Sequence, residues 1–181
     1  MDVVNKAQAL MEQNKSEEAV QFIESNLQSL RDNEKYEAAE FLWNWGFLEK
    51  AEQILTHLVH SYPENAELKI TLSEIYIELE KDELAIQLLS EINQNERAYI
   101  PSLIQLADLY QAQGLFEVSE RKLLQAKELD PEEPIIDLAL GELYFSIGKF
   151  KQSIIYYEKL YKNRTERANI SVPSRLAEAY S

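Results

Sequence analysis

Small, large apolar and polar residues follow one another along this chain in a pattern that returns every 34 residues. Each copy starts with a leucine or alanine, then has a small residue, and three positions later has an apolar or tyrosyl residue. Offsets of three and four place such side chains on one face of an α-helix. The four copies of this helix are marked by Ala38, Ala39 and Leu42; by Leu72, Ser73 and Tyr76; by Leu106, Ala107 and Tyr110; and by Leu140, Gly141 and Tyr144.

A second helix is predicted in each copy by another small residue, twelve positions after the first, and a large residue four positions later. Small residues let neighbouring helices approach closely, and the large residue fills the space one turn away. The small residues are Ala51, Ala85, Ser119 and Ser153, and the large ones are Leu55, Leu89, Leu123 and Tyr157.

Tight turns are predicted between the two helices of a copy. Gly46, Gly114 and Gly148 stand at equivalent places just past the first helix, and glycine readily adopts the left-handed conformation that often ends a helix. Pro63 and Pro131 close two copies, each before an acidic residue that suits a helix start. The pattern therefore indicates helix–turn–helix repeats without strands.

These residues resemble the pattern of the tetratricopeptide repeat family, a 34-residue helix–turn–helix. The resemblance implies an all-α, right-handed α-α superhelix of about five helix pairs, in a single array over 1–181. The predicted segments are a degenerate repeat at 1–31, repeats at 32–65, 66–99, 100–133 and 134–169, and the start of a truncated sixth repeat at 170–181.

Some positions depart from the family pattern. Asn14 and Glu80 stand where glycine is expected, and Arg97 and Thr165 stand where proline is expected. The early tryptophan of the family is replaced in the four repeats by Lys35, Lys69, Leu103 and Asp137.

The sixth repeat opens with the sequence LAEAY at 176–180 and then stops. Repeat arrays usually end in a helix with a polar outer face. We therefore expect that the chain is an N-terminal fragment of a longer array. Otherwise its uncovered end should pair with another copy of the chain or with a ligand.

The formal net charge of −14 disfavours nucleic acid and anionic membranes as partners, because both are bound through basic patches. Residues 149–175 carry seven basic and two acidic side chains, a net charge of +5, which leaves −19 on the rest. This asymmetry favours either a solvated face or head-to-tail contact between copies.

Catalytic chemistry finds little support in the sequence. The chain has no cysteine, and its four glycines are all accounted for by turns and helix packing, so no phosphate-binding loop is expected. His57 and His60 lie three positions apart on one predicted helix, which we interpret as surface histidines rather than metal ligands. We expect no enzyme activity, cofactor or metal.

Because there is neither a signal peptide nor an apolar run of 18 residues, a cytoplasmic location is expected.

Protein binding is the function that the resemblance implies, with a peptide or helix lying along the first helices of the repeats. On these helices, positions at offsets i, i+4 and i+7 form an apolar column, an acidic column and a mostly apolar column. We predict a partner-binding groove from these columns, which are Tyr36, Ile70, Ile104 and Leu138; Glu40, Glu74, Asp108 and Glu142; and Trp43, Ile77, Gln111 and Phe145.

An acidic groove suits a basic, amphipathic partner, and it does not suit the carboxylate-gripping mode of some family members. The columns have alternative explanations, because apolar ones also pack against neighbouring repeats and acidic ones are also simply solvated. Three other functions stay open. They are a regulatory or targeting domain of a longer enzyme, a self-assembling repeat protein, and an RNA-binding repeat, which the charge opposes.

The sequence FLWNWGFLEK is unusual because four aromatic side chains crowd one helix end and its turn. A buried core would use two of them. We therefore expect Trp45 or Phe47 to be exposed and available as a binding hot spot, or else the cluster fills a gap against the imperfect first repeat.

Overall fold

Ten α-helices make up most of the structure, a computed structural model that describes residues 3–162. In that range there is no strand. The helices are α1 (Val3–Glu12), α2 (Ser16–Asn26), α3 (Asp32–Asn44), α4 (Leu48–Ser61), α5 (Ala66–Glu78), α6 (Asp82–Ser90), α7 (Tyr99–Ala112), α8 (Phe116–Leu129), α9 (Pro134–Ser146) and α10 (Phe150–Lys162), with a 3-10 turn at Leu27–Ser29. The all-α helical repeat fold predicted from the pattern is confirmed.

The first helices of the repeats begin where the 34-residue spacing places them. α3, α5 and α9 start at Asp32, Ala66 and Pro134, and α7 starts at Tyr99, one residue early. Local chemistry sets two of these starts. Asn65 caps α5 by accepting a hydrogen bond from the backbone N–H of Leu68 at 3.2 Å, and proline is suited to the first position of α9 because its missing N–H is not needed there.

The chain divides into two compact units, Met1–Leu88 and Leu89–Ser181, with the boundary inside α6. In unit 1 the helices α1 and α2 pack together, as do α3 and α4, and α4 also packs against α5. In unit 2 the pairs α7/α8 and α9/α10 pack in the same way, and α8 packs against α9. The single array over 1–181 stays a prediction, and the sixth repeat lies outside the described residues.

The core of unit 1 is built from the small and large residues that the pattern singled out. Ala39 and Ala51 are fully buried, as is Leu55. The imperfect first repeat joins this core through Ala7, Ala19 and related residues of α1 and α2. Each helix therefore contributes one apolar face, which is what its 3.6-residue period requires.

Unit 2 has its own core, in which the repeat copies differ in how they divide the same space. In α7 and α8 the buried pair is Ala107 and Leu123, whereas in α9 and α10 it is Gly141 and Tyr157. A Cβ added to Gly141 would lie 2.6 Å from Tyr157 Cε1. The larger ring of Tyr157 thus occupies the volume that alanine takes in the neighbouring copy.

Five inter-helix turns share one backbone geometry, whatever residue occupies the key position. φ is +80° at Gly46, +74° at Gly114 and +73° at Gly148, and it is also positive at Asn14 (60°) and Glu80 (57°). In each turn the following N–H donates to the carbonyl five residues back, for example from Lys81 N to Tyr76 O at 2.8 Å. This closes the helix in the manner of a Schellman motif. The spacing, rather than the residue, therefore locates the turn.

Replacing Glu80 with glycine is expected to raise the free energy of unfolding by about 0.5–1 kcal/mol. A left-handed conformation costs a non-glycine residue about 1–2 kcal/mol, so glycine relieves this strain in the folded state. The greater conformational freedom of glycine in the unfolded chain offsets part of that stabilisation. Urea denaturation measures the change. Gly114→Ala is the matched control and should lose stability, and a Glu80→Gly variant that is less stable than the parent would contradict the prediction.

Candidate functional site

The predicted groove residues all lie on the first helix of a hairpin. Each of the helices α3, α5, α7 and α9 carries three of them, at the expected offsets of four and three. In unit 1 these residues are Tyr36, Glu40, Trp43, Ile70, Glu74 and Ile77, and in unit 2 they are Ile104, Asp108, Gln111, Leu138, Glu142 and Phe145.

In unit 1 all six of these side chains are half-buried, and two of them link α3 to α5. The hydroxyl of Tyr36 lies 3.4 Å from Thr71 Oγ1, and the indole N–H of Trp43 donates to Glu78 Oε1 at 2.8 Å. Both rings also pack against the core of the unit. Tyr36 and Trp43 therefore hold the hairpins together, so Trp43→Ala would change stability as well as any binding.

In unit 2 the corresponding surface is more open at its acidic position. Asp108 is exposed, whereas the side chains of Ile104 and Leu138 are half-buried. The ring of Phe145 meets Phe150 edge to face, with 5.5 Å between the ring centroids. The apolar residues thus take part in packing within the unit while one carboxylate reaches solvent beside them.

Two groups on this surface have shifted pKa values. Burial raises the pKa of the Tyr36 hydroxyl, and nearby Glu40 raises it further, although the hydrogen bond with Thr71 lowers it. Desolvation by surrounding groups raises the pKa of the Asp108 carboxyl, even though the residue is exposed as a whole. A cation placed beside Asp108 would favour its charged form and oppose that shift.

An acidic depression lies in unit 1, where α3, α4 and α5 meet. It is open to solvent, has a volume of about 640 Å³, and includes two of the predicted groove residues, Tyr36 and Glu40. We call it the acidic depression, and its lining consists of Asp32, Asn33, Tyr36, Glu37, Glu40, Leu58, Tyr62, Asn65, Glu67 and Leu68.

Comparison with known proteins gives matches to repeat proteins along the chain. A family described as tetratricopeptide repeat matches residues 46–102, and a family described as YpiA-like, tetratricopeptide repeats matches residues 111–165. The TPR repeat-containing protein YpiA of Bacillus subtilis (strain 168) is 37% identical over 179 residues, which are 99% of this chain and 42% of that protein. The chain belongs to the tetratricopeptide repeat family.

Solved structures with the same fold include two tetratricopeptide repeat proteins and MamA. A thermophilic TPR protein from Thermus thermophilus superimposes with a TM-score of 0.69 at 22% identity, covering 98% of this chain and 97% of that one. A tetratricopeptide repeat protein from Parabacteroides merdae ATCC 43184 gives 0.73 at 22% identity, with 98% and 71% covered. MamA from Desulfovibrio magneticus RS-1 gives 0.69 at 17% identity, with 92% and 96% covered.

Tetratricopeptide repeats generally mediate protein–protein interaction, and members of the family are typically not catalysts. In the described part of this chain, no three histidine, cysteine or acidic side chains are grouped so that they could hold a metal ion. His57 and His60 are both exposed on α4. No helix within 3–162 is long and apolar enough to cross a bilayer.

The aromatic cluster of this tetratricopeptide repeat chain is divided between core and surface. Phe41 is buried, Phe47 packs partly against the core of unit 1, and the side chain of Trp45 is 45% exposed. Trp45 also contacts Phe41, with 6.2 Å between the ring centroids. Of the two residues expected at the surface, Trp45 is the more exposed. Its role as a hot spot stays a prediction.

Sequence reasoning missed the side chains that line the acidic depression beside Tyr36 and Glu40. Tyr62 follows α4 and donates a hydrogen bond to Asp32 Oδ2 at 2.5 Å, while Lys35 Nζ lies 2.7 Å from Asp32 Oδ1. These contacts lower the pKa of the Asp32 carboxyl, first through the bond with Lys35. The signal in the sequence is weak, because contributions from three helices meet only in the folded unit.

A buried ion-pair cluster in unit 2 was also missed. Asp137 stands at the early tryptophan position of the family, and its side chain is only 3% exposed. Lys127 of α8 lies 2.5 Å from Asp137 Oδ1, and Lys159 of α10 lies 3.2 Å from Asp137 Oδ2. Asp137 therefore pairs with two lysines on neighbouring helices, which links α8, α9 and α10.

Proposed function

We propose that this tetratricopeptide repeat chain is a non-catalytic adaptor that binds a basic, amphipathic segment of a partner protein on the first helices of its hairpins. One observation carries the proposal. In each unit a carboxylate stands one helical turn after a half-buried apolar side chain, as Glu74 follows Ile70 on α5 in unit 1 and Asp108 follows Ile104 on α7 in unit 2.

The division of labour on such a surface follows from general interface energetics. Apolar side chains supply most of the affinity, whereas complementary charge speeds encounter and selects the partner. A peptide with leucines on one face and arginines on the other would meet both requirements. We expect a dissociation constant of roughly micromolar order, which corresponds to a binding free energy of about −8 kcal/mol.

Reversing two carboxylates tests this surface directly. We expect Glu74→Lys combined with Asp108→Lys, which reverses one carboxylate in each unit, to weaken binding of an amphipathic leucine/arginine peptide of about 18 residues by tenfold or more, because in whichever unit the peptide binds an attractive contact becomes repulsive. Isothermal titration calorimetry measures the affinity, and circular dichroism confirms that the helices persist. Raising the salt concentration should weaken binding by the parent chain as well.

The matched control moves the same charge change elsewhere. Glu83→Lys combined with Glu128→Lys alters two exposed carboxylates, one in each unit and both on second helices, and should leave peptide affinity unchanged. A leucine/glutamate peptide of the same pattern should not bind. Equal binding of both peptides, or equal losses in the two double variants, contradicts the proposal.

A role as a regulatory or targeting domain of a longer enzyme is the alternative. The chain spans 42% of the length of the Bacillus relative. Any activity or partner of that longer protein is therefore only a proposal for this chain. The cytoplasmic location stays a prediction. Self-association through the C-terminal end and the basic segment 149–175 stays a prediction, and residues 163–181 lie outside the described range.

A further inference from the structure

We propose that the acidic depression of unit 1 receives an arginine side chain of the partner. This inference rests on the proposed function, because it assigns the chemistry of one subsite on the same surface. It concerns only residues of unit 1.

The shape of the depression suits a long side chain with a polar end. Its lining includes two buried leucines, Leu58 and Leu68, which are 2% and 8% exposed, together with Tyr36 and Tyr62. Methylene groups of an arginine can lie against such apolar surface while the charged end reaches the polar wall. The open volume of about 640 Å³ leaves room for this side chain and its backbone.

The charge of the depression selects a cation. Four carboxylates line it, whereas no lysine or arginine does. Lys35 compensates Asp32. Among residues 3–162, no basic side chain lies within ion-pair distance of Glu37, Glu40 or Glu67. An entering cation would therefore meet three carboxylates that have no ion-pair partner of their own.

The partial charges at the helix ends around the depression also favour a cation overall. α4 ends at Ser61, just before Tyr62, and the C-terminal end of a helix carries partial negative charge that favours a cation. The N-terminal ends of α3 and α5 carry partial positive charge, but Asp32 and Glu67 lie in their first turns and offset it.

A guanidinium group fits these partners better than an ammonium group. It presents five donors in a plane, stacks on aromatic rings, and is less strongly hydrated, so that it enters a partly desolvated site at lower cost. The residues that line the depression carry carboxylates, an amide on Asn65, and the hydroxyls and aromatic rings of Tyr36 and Tyr62, which are groups that a guanidinium binds.

The first test uses a single capped arginine residue as the probe. N-acetyl-arginine methylamide is titrated into the full chain and followed by NMR at Tyr36, Tyr62 and Asn65. We expect saturable shifts there with a dissociation constant of about 1 mM. N-acetyl-citrulline methylamide has nearly the same shape without the charge and should bind at least tenfold more weakly. Equal shifts with both probes would overturn the proposal, and equal affinity for the lysine derivative would overturn its assignment to arginine.

Variants locate the site. Glu40→Gln combined with Glu67→Gln should weaken binding of the arginine derivative at least tenfold, while the NMR spectrum remains that of a folded protein. Glu17→Gln combined with Glu83→Gln removes the same charge from exposed positions of the same unit and should change affinity less than twofold. Equal weakening in both double variants would show a general charge effect and would overturn the assignment of the depression.

The two proposals fail in different ways. If the leucine/arginine peptide binds but citrulline in place of each arginine, one at a time, leaves its affinity unchanged, the arginine subsite is wrong and the adaptor surface stands. If the arginine derivative binds at Tyr36 and Tyr62 but the peptide does not bind, the subsite stands and the proposed function is wrong.

Discussion

Asp137→Ala is expected to lower the free energy of unfolding of the chain by about 3 kcal/mol, the largest effect of any substitution considered. Removing one partner of a buried ion pair leaves the other charge uncompensated, which typically costs about 3–5 kcal/mol. Lys127 and Lys159 have 18% and 34% of their side chains exposed, so they can turn partly to water. This places the expected loss near the lower end.

Thermal and urea denaturation followed by circular dichroism measure this loss. The informative control removes the whole cluster. Asp137→Leu combined with Lys127→Met and Lys159→Met should be close to the parent in stability or above it, because burying charges is costly even when they are paired. A loss below about 0.5 kcal/mol for Asp137→Ala would show that the cluster contributes little.

Gly141→Ala is expected to destabilise the chain by about 1–2 kcal/mol, although alanine is the better helix former. The added Cβ would lie 2.6 Å and 2.9 Å from two carbons of the Tyr157 ring, and that ring is fully buried. Overpacking typically costs about 1–3 kcal/mol, whereas the higher helix propensity of alanine over glycine stabilises a helix interior by at most about 1 kcal/mol. The steric cost therefore exceeds the gain in helix propensity.

A double-mutant cycle checks that the clash causes the loss. Tyr157→Leu alone should also destabilise, because it opens a cavity. Gly141→Ala combined with Tyr157→Leu recreates the alanine and leucine found in α7 and α8 as Ala107 and Leu123, so the double variant should be more stable than the sum of the single losses predicts. Additive losses would mean that the two positions do not compete for space.

Features that depend on residues close in the chain were well predicted from the sequence. The helix starts at Asp32, Ala66 and Pro134 follow from the 34-residue spacing, and so do the turns at Gly46, Gly114 and Gly148. These features depend on helical period, capping and backbone conformation, all of which act over a few residues.

The candidate site was predicted less completely. The sequence places Tyr36, Glu40 and Trp43 on one stripe of α3, and the structure has them on that helix. It did not predict that Trp43 would bond to Glu78 on α5, or that Tyr62 would bond to Asp32. In each of these pairs the residues are about 30 positions apart in the chain, and only the packing of separate helices brings them together.

The sequence by itself determined the all-α repeat fold, the places of the hairpin turns and the helices that carry the candidate surface, because periodic burial and local backbone preferences specify them. Only the tertiary structure decided how Gly141 and Tyr157 share one volume, that Asp137 is buried and pairs with two lysines, and that an acidic depression lies where three helices meet. These features depend on distances between side chains from separate helices, which no local pattern contains.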